Sequence, residues 1–286
     1  MDVDAERKRF KAVLRKAAGR LPADTELIVL DWAGIGDACH TRLIAQHLAR
    51  ERRLAWLTTP MIAGLFQDDS MPVIACYAST ARDVRQPEVR ALAAELDAIA
   101  RAVLPVPVLH MSYRVCQVYD DWLKRISNYA DLFFRAAGIQ RDRSIRHTLV
   151  HNGQGPEGRY AVIEPYGYTT GAIFPGIAAS TARVLADAGV SLYQVGAAND
   201  ALIEGCVDAR GLPLYDTYSL VKGALGFIGR ASGNETLTFY SQTPLIEVDV
   251  PGWASAHNCG YHGNMVNIVS EALPLYAPKF FGVRNG

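Results

Sequence analysis

The chain is 286 residues long, half of them hydrophobic and a fifth charged, with 29 Lys plus Arg against 29 Asp plus Glu. That length suits two domains of about 150 residues, and that composition excludes a disordered chain. A formal net charge of zero leaves no global field to recruit nucleic acid or an anionic membrane, so no stable nucleic-acid partner is expected.

The N-terminal segment over residues 6–18 is basic and amphipathic, without the apolar core of a signal peptide. It can rest on a membrane surface, or pack as a helix on its own domain, which is the commoner outcome. No apolar run reaches the 18 residues of a membrane span. Residues 26–30 (ELIVL) then form a short branched apolar strand, and the turn 33–37 (AGIGD) leads into a helical pattern. Strand, turn and helix together make residues 28–49 the opening of a βα unit. Further buried strands are expected at 54–58 and 73–76, helices at 88–103 and 119–137, and a strand near 106–111. The basic stretch 135–146 alternates with apolar residues and reads mainly as solvated surface, with an acceptor or phosphate contact as the alternative.

Residues 151–159 (HNGQGPEGR) concentrate Gly, Pro and Asn, and the domain boundary is placed here, giving domains 1–157 and 158–286. The second half alternates again. A strand at 160–164 is followed by helix 177–188, strand 191–195, helix 199–206 and a short strand near Leu214. Helix 219–225, strand 225–228, helix 234–241 and strand 245–248 complete the series. The fold class is therefore α/β: two Rossmann-like lobes with parallel sheets, whose strand ends are expected to face a central cleft.

Five cysteines (Cys39, Cys76, Cys116, Cys206, Cys259) without CxxC spacing argue for a reducing cytoplasmic location and against a disulfide or zinc framework. The His, Asp and Glu residues show no metal-ligand spacing, and no metal or bound cofactor is expected. The first glycine turn lacks the third glycine of a dinucleotide fingerprint, because Thr41 and Arg42 stand there, which disfavours an NAD site. Asp37 in that turn is either a catalytic carboxylate or a helix cap. In the second lobe, Ser232, Gly233 and Asn234 open a helix, where they can hold phosphate or simply cap it.

These segments, taken in order, resemble the ADP-heptose lipopolysaccharide heptosyltransferases and their relatives in glycosyltransferase family 9. The first is the Ile35-Gly36-Asp37 turn with a helix carrying Thr41, then Thr58-Thr59-Pro60. Residues 195–200 (VGAAND), 216–220 (DTYSL) and 226–248 continue it, so the likeness covers nearly the whole chain. The resemblance implies a GT-B glycosyltransferase that moves a sugar from a nucleotide-diphosphate donor to an acceptor hydroxyl without a metal. Asp37 would be the general base, and Gly36 and Thr41 would lie on the acceptor side. Gly196, Arg230, Ser232, Gly233 and Asn234 would hold the donor. Glu235 would either grip a ribose hydroxyl or favour the helix dipole.

Three departures stand against the family pattern. Ala231 replaces an acidic residue, Thr236 replaces a histidine, and Tyr168, Thr169 and Thr170 stand where a basic residue usually meets the donor phosphate. Hydroxyls bond a phosphate but supply no charge, so Arg230 is the nearest candidate for compensation. The loop 251–263, with Trp253, His257, Tyr261 and His262, either covers the cleft or is plain surface. Two other readings stay open: a non-hydrolysing sugar-nucleotide epimerase, and a non-catalytic nucleotide-sugar binder. The partners implied are a nucleotide sugar and an unidentified acceptor.

Overall fold

The computed structural model describes residues 2–32, 34–77, 86–123, 129–141, 144–167, 171–230, 232–249 and 264–283. The expected residues Tyr168, Thr169, Thr170, Ala231 and Cys259 and the loop 251–263 lie outside them. The chain divides into two compact units, Met1–Val150 and His151–Gly286.

The first unit runs α1 (Val3–Ala18), β1 (Leu27–Leu30), α2 (Ile35–Leu48), β2 (Leu54–Thr58), α3 (Pro60–Leu65), β3 (Val73–Ala75), α4 (Pro87–Val103), β4 (Val108–His110), α5 (Met111–Leu123) and α6 (Tyr129–Ala137). Its strands are parallel in the order β3-β2-β1-β4. β1 and β2 are buried along their whole length, which is why they read as unbroken apolar runs rather than alternating ones. α1 starts at Asp2, whose carboxylate accepts from Ala5 N at 3.0 Å. It turns Phe10, Leu14 and Ala17 into the core, so this amphipathic helix packs on its own unit. The helix expected over 119–137 is two helices, α5 and α6.

The second unit runs β5 (Tyr160–Ile163), the hairpin β6 (Tyr166–Gly167) and β7 (Gly171–Ala172), α7 (Pro175–Asp187), β8 (Ser191–Gln194), β9 (Val207–Asp208), α8 (Leu214–Gly223) and β10 (Phe227–Gly229). A 3-10 turn (Asn234–Thr236), α9 (Leu237–Ser241), β11 (Leu245–Val248), β12 (Met265–Ile268) and α10 (Leu273–Phe280) follow. Its six-stranded sheet has the order β12-β11-β10-β5-β8-β9, with every pairing parallel. Counted along the chain this is 3-2-1-4-5-6 read from the β9 edge, the doubly wound order of a Rossmann sheet.

Several expectations are corrected here. Residues 199–206 do not form a helix, because the buried Gln194 side chain takes the backbone groups that a helix would use. Its Nε2 donates to Ala201 O at 2.8 Å and its Oε1 accepts from Ile203 N at 2.7 Å. Leu214 begins α8 rather than forming a strand. The helix expected over 234–241 is a 3-10 turn followed by the five-residue α9, so its dipole is shorter than a continuous helix would give. Residues 151–155 belong to the second unit, since His151 packs on Tyr215 and Tyr218 and Gly155 lies against Tyr160 and Ser219 of that unit. The division thus falls before the Gly-rich stretch and not within it.

Candidate functional site

In open parallel sheets, ligands bind outside the carboxyl ends of the strands where the strand order reverses. In the first unit that switch lies between β1 and β4. Asp31 and Trp32 follow β1, Gly34 caps α2 with extended backbone, and Gly36 and Asp37 occupy the first helical turn. Asp37 is half-buried, and its charge acts on the Cys116 thiol of α5, whose pKa burial chiefly pushes up to about 11. Trp32 N donates to Ser112 Oγ at 3.1 Å, and the Trp32 ring meets His110 edge-on at 4.4 Å, tying the β1 and β4 ends together. Thr41 is fully buried inside α2, which takes its side chain out of contact with an acceptor in this structure.

In the second unit the switch lies between β5 and β10. β5 runs into Glu164, 7% exposed, and β10 into Arg230 and the turn carrying Ser232, Gly233 and Asn234. Ser232 Oγ donates a short hydrogen bond to Glu164 Oε2, and Asn234 Nδ2 donates to Glu164 Oε1 at 2.8 Å. Ser232 Oγ also accepts from Glu235 N at 3.2 Å, so the capping role is realised in this structure. Burial pushes the Glu164 carboxyl up to about 7 against these two donors, and the charge of Asp200 pushes the same way.

Asp200 belongs to the turn after β8. Its Oδ2 accepts from Ala197 N at 2.8 Å, and a Cβ on Gly196 would lie 2.6 Å from that oxygen at φ +132°, so the turn requires glycine there. Arg230 donates to Ala172 O at 3.0 Å and Asp249 O at 3.1 Å, and lies 3.7 Å from Asp249 Oδ2. Its guanidinium therefore braces the β7 and β11 ends. Glu235 is fully buried, which removes it from direct contact with a ribose.

The structure places Gly196 after β8 and Ser232, Gly233 and Asn234 after β10, on either side of β5 in the sheet, and adds Glu164 and Asp200, which the sequence reading left without a role. The signal for Glu164 was present: an acidic residue directly ending an apolar strand and preceding a proline. Among the described residues, no group of three or more His, Cys, Asp or Glu side chains could hold a metal ion, and no helix is long and apolar enough to cross a membrane.

No protein-family model matches the chain, and no curated protein does. Solved structures do. The E. coli heptosyltransferase WaaC with ADP superposes at a TM-score of 0.58 and 12% identity, covering 90% of this chain and 100% of that one. A family 9 glycosyl transferase from Veillonella parvula gives 0.57 at 10% identity, over 93% and 95%. The iron-containing dodecameric glycosyltransferase TibC from enterotoxigenic E. coli gives 0.55 at 14%, covering 80% of this chain, which spans 58% of the length of that protein. The chain has the α/β fold of the glycosyltransferases. Within that class, it has the fold of the heptosyltransferases and family 9 enzymes, at 10 to 14% identity to these three.

Proposed function

We propose that the protein is a glycosyltransferase that moves a sugar, a heptose being one candidate, from a nucleotide-diphosphate donor to an acceptor hydroxyl. The observation that carries this reading is a cluster of hydrogen-bonded polar side chains at the switch point of a 3-2-1-4-5-6 sheet, in a fold whose solved examples include WaaC with ADP and with a fluorinated ADP-heptose. In this reading the second unit takes the donor at Gly196, Ser232, Gly233 and Asn234, with Tyr168, Thr169 and Thr170 as further hydroxyl donors. Arg230 at the β10 end supplies the positive charge.

Asp37 takes the acceptor's hydroxyl proton as its oxygen attacks the sugar C1. The C1–O bond to the diphosphate breaks, and its electron pair leaves with the nucleoside diphosphate. Charge developing on that leaving group is met by the Ser232 and Asn234 side chains and Arg230, without a metal. Gly36 lets the acceptor approach the backbone beside Asp37. Action in the cytoplasm on a soluble nucleotide sugar fits the four described cysteines, all of them free.

The test is incubation with a panel of nucleotide sugars, with and without acceptors, while released nucleotide is measured. Acceptor-dependent release that disappears in Asp37→Ala, with donor binding retained, is the expected result. Full activity in that variant removes Asp37 as the base. Conversion without any acceptor identifies an epimerase, and binding without turnover a non-catalytic binder.

A further inference from the structure

The least expected group at the proposed donor site is a carboxylate. Glu164 is 7% exposed at the end of the first strand of the second sheet, and both its oxygens accept from the turn proposed to take the donor. An ionised carboxylate only accepts hydrogen bonds, whereas the protonated acid is itself a donor. In the ionised state Glu164 therefore occupies the Ser232 hydroxyl and the Asn234 amide. It also places a negative charge, on a side chain only 7% exposed, where a diphosphate with two negative charges has to enter, and like charges repel.

Among the described residues, none forms an ion pair with it. Asp200, in the turn after β8, adds to the repulsion. Arg210 pairs with Asp208 at 2.7 Å and donates to Asp200 O. Arg230, the cation of the donor-site reading, donates to Ala172 O and Asp249 O and not to Glu164. Glu235 of the 3-10 turn and Glu247 of β11 are fully buried carboxylates.

Resting on the donor-site reading above, we infer that Glu164 is the positioning residue of that site. As a carboxylate it holds Ser232 and Asn234 inward, and it takes up one proton when a nucleotide sugar binds, freeing a donor and removing the opposing charge. Its carboxyl is poised for this, since burial raises it to about 7, so the proton is gained or lost near neutrality. The donor's negative charge raises it further, which couples binding to protonation.

The experiment is calorimetric titration of the whole chain with ADP-, GDP-, UDP- and dTDP-glucose from pH 6 to 8.5, in two buffers of different ionisation enthalpy. A diphosphate esterified at both ends does not titrate in this range, so proton uptake reports on the protein. Uptake approaching one proton near pH 8 is expected, with affinity weakening roughly tenfold per pH unit above the Glu164 pKa. Glu164→Gln should bind with neither effect.

Wild-type binding without proton uptake, or an unchanged pH dependence in Glu164→Gln, overturns the inference. The uptake measurement on the wild-type chain decides it even where the variant does not fold. Proton-linked binding without sugar transfer to any acceptor overturns the transferase reading and leaves the role of Glu164 standing. Transfer with pH-independent binding does the reverse. No binding at any pH overturns both.

Discussion

The indole Nε1 of Trp56 donates to Asp31 Oδ2 at 2.7 Å, while Thr58 Oγ1, two residues further along β2, donates to Asp31 Oδ1 at 2.8 Å. Asp31 and Thr58 are fully buried. β1 and β2 pair in parallel with Leu30 beside Leu57, which sets a carboxylate at the end of one strand against two same-face donors of the next. A buried charge is tolerated only with such partners. This carboxylate fixes the strand end from which the Asp37 turn departs.

Trp56→Phe removes one donor from Asp31 and leaves a cavity where the second ring of a fully buried indole stood, and should destabilise the first unit by about 2–5 kcal/mol. Urea denaturation followed by far-ultraviolet circular dichroism measures it. A midpoint unchanged from wild type would contradict both the burial of the indole and its bond to Asp31.

Arg42 and Asp69 form an ion pair with side chains 6% and 4% exposed, the Arg42 Nε lying 2.8 Å from Asp69 Oδ2. Asp69 Oδ1 also accepts from Met71 N at 3.0 Å. Removing one partner leaves an uncompensated buried charge, so Asp69→Leu should cost about 3–5 kcal/mol, and the double variant with Arg42→Met clearly less. Additive losses in a double-mutant cycle would contradict this.

The two units should respond oppositely to pH. His110 is fully buried beside Phe10 and Trp32, with Nδ1 3.4 Å from Asp97 Oδ1. Burial lowers its pKa despite Asp97, and burial together with the charges of His40, Arg42 and Arg141 holds His147 well below the ordinary 6.5. Both imidazoles take up a proton less readily when folded than when unfolded. The stability they contribute is present above about pH 6.5 and is lost as pH falls below it, by up to about 1.4 kcal/mol per pH unit for each group.

Glu164 has the opposite sign. Its folded pKa is raised from 4.5 to about 7, so the stability it contributes is full below about 4.5 and lost as pH rises through 7. Opening free energies from hydrogen exchange between pH 5 and 8 should fall toward acid in β1 and β2 and toward base in β5 and β10. A common trend in both sheets would contradict the assignment.

A Cβ at Gly155 would lie 2.1 Å from Tyr160 Oη, and one at Gly223 2.4 Å from the same oxygen. Tyr160 Oη in turn donates to Leu220 O at 3.0 Å. Gly155→Ala should therefore destabilise the second unit by about 1–3 kcal/mol. Adding Tyr160→Phe should recover part of the loss, because the clashing atom is gone. Calorimetric melting temperatures of the two single variants and the double variant decide it.

Much of the fold was legible because buried parallel strands are short unbroken apolar runs, as at Leu27–Leu30, Leu54–Thr58 and Tyr160–Ile163. Glycine turns mark where they end, which located Asp37, Gly196 and Gly233. Segments whose backbone is satisfied by distant side chains were not legible: residues 199–206 read as a helix until Gln194 claimed their polar groups.

The sequence by itself determined two α/β units and a carboxylate in the first glycine turn, since periodicity and turn chemistry are local. Only the tertiary structure decided what faces the second turn. Glu164 and Ser232 are 68 residues apart in the chain, and only the adjacency of β5 and β10 in the sheet brings them within bonding distance. The burial created there, and not the residue type, holds a carboxyl near neutrality.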